Sequence, residues 1–75
     1  MSYKTSLLKE TKAIIAEIKN KIKELLKINS EILKFECVNE WDLKLVEQNL
    51  KKVKQKERLI EAYRGNLQEI LKMEN

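Results

Sequence analysis

At 75 residues, with 16 Lys and Arg against 12 Asp and Glu and a net charge of +4, the chain is one domain at most, and a core this small supplies only about 3–5 kcal/mol without extra support. One cysteine and no histidine exclude an intramolecular disulfide and a zinc site of the usual Cys/His kind, which leaves association with another chain as the source of that support. Charged residues at 37%, no proline and one glycine point to long helices and away from sheets.

The first element is set by a heptad pattern: Leu8, Ile15 and Ile22 recur every seven residues, interleaved with Ile18, Leu25 and Ile32. Leu7, Ile14, Leu26, Ile28 and Leu33 flank this seam and widen it toward the face of a bundle helix. The pattern predicts a helix over roughly Thr5 to Cys37, with Ser6 or Thr5 as its cap. Glu10, Glu17, Glu24 and Glu31 also recur every seven residues, so the polar face is mixed in sign. That suits a solvated bundle helix better than a helix lying on a membrane.

The second element starts after Cys37-Val38-Asn39-Glu40. Asn39 followed by Asp42 has the spacing of a capping box. From there Leu43, Leu50 and Leu71 fall on one register and Val46, Val53, Ile60 and Leu67 on another, which predicts a helix reaching Met73. A connection this short folds the helices back into an antiparallel hairpin, each about 45–50 Å long at 1.5 Å per residue. Gly65-Asn66 allows two readings: a continuous helix, or a stop near Arg64 and a short third helix capped by Asn66. Continuity is preferred because Ile60, Leu67 and Leu71 stay in phase across the glycine.

Asn29, Glu57 and Arg64 fall where this pattern would place apolar residues. They either fix register, as a seam asparagine does, or reach the rim as the 3.6-residue turn drifts off a 3.5-residue repeat. The rim suits Glu57 and Arg64; for Asn29 the two readings stand level. The basic run from Lys51 to Arg58 spreads around the helix, with no interleaved aromatic to stack on bases, so it is read as a solvated face before a nucleic-acid site. Trp41, the single tryptophan, is read first as a plug closing the hairpin over Leu33, Phe35 and Val38. The sharper alternative makes it an anchor for a partner. Cys37 is expected to pack near the turn as a small apolar residue, since no histidine can activate it.

The stretch Glu24-Leu25-Leu26 through Ile32-Leu33 to Asn39-Glu40-Trp41-Asp42-Leu43, followed by Leu45, Val46 and Glu47, resembles the first hairpin of FliT-type flagellar export chaperones. In that family a leucine-rich helix end is followed by an acidic Trp-Asp pair opening the next helix. The resemblance covers about half the chain and belongs to a broader class of small helical type III secretion chaperones. It implies a cytoplasmic chaperone that shields amphipathic helices of a secretion client by helix-in-groove packing. Trp41, Leu45, Tyr63, Leu67 and Ile70 are the candidate partner-facing residues. Family members add further helices, including a regulatory C-terminal one, beyond these 75 residues, so self-inhibition is not expected of them.

The sequence therefore predicts an all-α hairpin spanning 1–75 that completes a bundle by self-association or partner binding. No catalytic residue, cofactor or metal is expected. The free thiol, with no apolar run fit for a signal or a membrane span, points to the cytoplasm. The rival readings are a homodimerising four-helix-bundle module, such as a phage or plasmid accessory factor, and a small basic nucleic-acid-binding dimer.

Overall fold

In the computed structural model, which describes residues 2–35 and 39–73, the chain forms two helices, α1 (Tyr3–Leu33) and α2 (Glu40–Lys72), packed against each other as an antiparallel hairpin. It is a rod measuring 58 × 18 × 11 Å, the shape two long helices take when nothing else packs on them. No described helix is long and apolar enough to cross a membrane.

The start of α1 is set by Ser2, whose Oγ accepts from the Thr5 amide and whose carbonyl accepts from the Ser6 amide. Helix α1 thus begins two residues before the sequence expectation, and neither Thr5 nor Ser6 is the cap. A serine at the cap satisfies first-turn amides that the helix itself leaves unpaired. At the far end the Lys34 amide donates to the Glu31 and Ile32 carbonyls, closing the helix at Leu33. Helix α1 therefore ends four residues short of the expected Cys37, with Lys34 and Phe35 already outside it; the packing of Cys37 and the place of Val38 lie outside the described residues.

Helix α2 opens on the predicted capping box. The Asn39 Oδ1 accepts from the Asp42 amide at 2.9 Å, and the Asp42 carboxylate accepts from the Asn39 amide at 3.4 Å. Glu40 and Asp42 in the first turn and Lys72 in the last complement the helix dipole. The helix runs unbroken through Gly65 to Lys72, as the preferred reading had it, and no third helix forms among the described residues. A Cβ built at Gly65 meets nothing within 4 Å, so the glycine relieves no crowding and only weakens the helix. Gly65→Ala is expected to stabilise the hairpin by roughly 0.5–1 kcal/mol, read as a rise in the urea midpoint. An unchanged or lower midpoint would mean that the helix does not continue there.

The inward residues of α1 alternate in steps of three and four: Leu8, Thr11, Ile15, Ile18, Ile22, Leu25, Asn29 and Ile32 are all buried or half-buried. This is the predicted seam, with Thr11 and Asn29 filling its two polar positions. Thr11 Oγ1 donates to the Leu7 carbonyl at 2.8 Å, which satisfies its hydroxyl within the helix. The seam of α2 differs from the sequence expectation. Val46, Val53, Ile60 and Leu67 do face inward, but their companions are Asp42, Asn49, Lys56, Tyr63 and Ile70. Leu43, Leu50 and Leu71, expected in the seam, are exposed.

The rotation has a physical cause. A seam through Leu43 and Leu50 also runs through Glu57 and Arg64, whose charges are costly to bury. The observed seam runs instead through Asn49, which finds a partner in α1, and Lys56, which is half-buried; a lysine costs less there than a carboxylate because its long stem can lie on apolar surface while its ammonium stays in water. Glu57 and Arg64 accordingly sit exposed at the rim. Arg64 pairs with Glu61 at 3.4 Å on an open surface, where such pairs add little stability.

Candidate protein-binding surfaces

At the heart of the seam, near the turn, Asn49 Nδ2 donates to Asn29 Oδ1 at 2.9 Å, and Asn29 Nδ2 donates to the Val46 carbonyl at 3.4 Å. The two side chains are 5% and 4% exposed, so the bonds replace water that neither can reach. The pair decides between the two readings of Asn29: it is buried and paired across the helices. Asn49 was not singled out in the sequence. Its signal was there, four residues before Val53 and three after Val46, but the neighbouring Leu50 outweighed it. No buried side-chain nitrogen or oxygen among the described residues lacks a partner.

With the seam closed, the positions on either side of it become two flanks of the rod. At 100° per residue in antiparallel helices, the residue just before each inward Leu8/Ile15 or Val46/Val53 position shares one flank across both helices. That flank carries Leu7, Ile14 and Ile28 of α1 with Leu45, Leu59 and Met73 of α2. All are exposed except Leu7, which is half-buried. The opposite flank divides along its length. Toward the turn it carries Leu26, Leu33, Leu43 and Leu50, all exposed. Toward the open end, Lys12, Lys19 and Arg64 line a shallow groove floored by Ile15, Ala16 and Leu67.

The register set by Asn29 and Asn49 places Leu26 beside Leu50 and Leu33 beside Leu43, making a four-leucine patch. Its burial against a partner is worth about 25 cal/mol per Å² of apolar surface removed from water. With Ile15, Val46, Val53 and Ile60 the only buried apolar residues among those described, that gain is large relative to the core.

Trp41 is 80% exposed, with Lys44 Nζ 5.5 Å from its ring centroid. The plug reading is overturned, since Leu33 and Phe35, at 54% and 71% exposed, are not covered. Because Asn39 caps α2, Trp41 becomes the second residue of the helix and falls on its outer side. Trp41, Asp42, Lys44, Leu45 and Gln48 line a shallow depression there. Of the candidate partner-facing residues, Trp41 and Leu45 are therefore exposed together near the turn. Tyr63, Leu67 and Ile70 are half-buried in the intramolecular seam and lie apart from them, toward the open end.

Lys51, Lys52, Lys54 and Arg58 are exposed on several sides of α2, as expected of a solvated face. Among the described residues no group of three or more His, Cys, Asp or Glu side chains is placed to hold a metal ion. No protein-family model, curated protein or solved structure matches the chain.

Proposed function

We propose that this chain is a non-enzymatic, cytoplasmic binding protein that covers amphipathic helices of another protein, in the manner of a secretion chaperone. The observation that carries the reading is the patch of Leu26, Leu33, Leu43 and Leu50, left exposed after the hairpin has closed its own seam. Four leucines spaced along two antiparallel helices form the floor of a groove for a third helix, which buries its apolar face there at i, i+3, i+4 and i+7. Trp41, exposed with Leu45 on the opposite flank, lies outside this groove. The residues shared with FliT-type chaperones supply the client class: a flagellar or type III secretion substrate whose helices aggregate when unpartnered. The scattered cations and the glutamate row of α1 favour this reading over nucleic-acid binding.

The test uses a synthetic amphipathic helix with a leucine face as the client mimic. Binding to the folded state should raise the melting temperature with peptide concentration by mass action. Leu33→Glu with Leu43→Glu should remove that rise and leave the free chain's helicity unchanged. Trp41→Ala, on the other flank, should leave that rise unchanged and shift the melting temperature of the free chain by no more than about 2 °C, as for a surface substitution. A rise that survives the double glutamate variant, or no rise with the parent chain, would sink the proposal.

A further inference from the structure

The flank opposite the leucine patch points to a second partner, independent of the client reading. We propose that a second copy of this chain packs face to face on the flank carrying Ile14, Ile28, Leu45 and Leu59, with both turns at the same end of the resulting four-helix bundle.

Six of the nine positions on this flank are apolar and spread along its length, and the other three are Lys21, Lys52 and Asn66. The register places each of these beside an apolar neighbour: Leu59 by Lys21, Ile28 by Lys52 and Ile14 by Asn66. A rod face 58 Å long and 18 Å wide exceeds the roughly 800 Å² per partner of a standard stable interface. A twofold axis can join two such faces in two ways. An axis across the rod stacks α1 on α1 and sends the turns to opposite ends. An axis along the rod stacks α1 on the other copy's α2 and brings the turns together.

The charges at the edges separate the two. Glu10, Glu17, Glu24 and Glu31 border this flank along the outer side of α1, all exposed. The axis across the rod would bring this row onto its own copy and set Lys21 near Lys21, which is repulsive throughout. The axis along the rod sets the row against the outer side of α2, where Gln48, Gln55, Ala62 and Glu69 border the flank and Lys44, Lys51 and Arg58 lie behind the first of them; of the four glutamates, Glu10 alone comes level with a carboxylate on that edge, Glu69, which is paired with Lys72. It also brings Lys52 of one copy to the level of Glu24 and Glu31 of the other. Complementary edges fix orientation even where each exposed pair is weak.

The leucine-patch flank fails the same test. There the axis along the rod sets Lys12 level with the other copy's Arg64, relieved only by Lys19 near Glu57, and the axis across the rod sets Lys12 and Arg64 on the leucines, so a second copy fits the first flank better and a different partner the other.

The experiment is sedimentation equilibrium of the full chain alone, joined to spin-label distances from Lys34→Cys in a Cys37→Ser background. The expected result is a dimer with an inter-copy label separation on the order of 20–30 Å, from helices packed about 8–10 Å apart plus the label arms. A monomer at millimolar concentration, or a separation near the length of the rod, overturns the proposal. Glu24→Lys with Glu31→Lys alters exposed positions outside the seam and should weaken dimerisation about tenfold, with Lys52→Glu restoring it. An unchanged dimer constant in the reversed-charge variant also overturns it. No client is present in these measurements, so their failure is distinct from failure of the client reading.

Discussion

Val53→Asp is expected to abolish the cooperative thermal transition and most of the far-ultraviolet helical signal. Val53 is 5% exposed and sits midway along α2 in the single line of contact between the helices. A carboxylate there loses its hydration without a matched partner, which costs several kcal/mol. The whole core of a chain this size supplies about 3–5 kcal/mol. Lys56, one turn on, returns part of the cost only by drawing its own ammonium out of water. Val53→Ile, which keeps the apolar surface, should stay helical with a cooperative melt. A Val53→Asp variant that melts within a few degrees of the parent would mean that the seam does not pass through this residue.

The second large effect concerns Asn29 and Asn49. Asn29→Ala leaves the Asn49 amide buried with no acceptor, a loss of about 1–3 kcal/mol, and Asn49→Ala should cost a similar amount by removing a donor from Asn29. The two effects should not add, because each single change already destroys the shared bond. Replacing both with leucine removes the polar groups together and should raise the melting temperature above the parent. The same change removes the feature that fixes how the helices slide past each other, so spin-label distances between α1 and α2 should broaden. Additive single effects, or a double-leucine variant less stable than either alanine variant, would show that the bond contributes little.

Much of the fold was legible in the sequence because it rests on local signals. The heptads of α1, the Asn39-Asp42 box and the phase kept across Gly65 each depend on residues within one or two turns. What was not legible depends on a choice between helices. The apolar stripe of α2 is wider than a single partner helix can cover, so either the leucines at 43 and 50 or Asn49 and Tyr63 must turn inward. The outcome follows from Asn29 lying across the seam and from the charges of Glu57 and Arg64, and neither is visible in the periodicity of α2 alone. The same rotation explains the candidate surface. Leu45 and Trp41 were legible as exposed side chains near the turn, whereas Tyr63, Leu67 and Ile70 were drawn into the seam and the leucine patch was released from it.

The antiparallel register has a mechanical consequence. Each cross-helix contact encloses all those nearer the turn, from the asparagine pair at 29 and 49 out to Leu8 and Ile70, so the first contacts close the shortest loops and meet the least entropic resistance. Tyr3 and Lys72 lie at the same end of the rod, and a pull that separates them loads the contacts one layer at a time instead of all at once. A hairpin held in this way peels open at low force from its free end, while the layer around Asn29 and the capped start of α2 is the last to part.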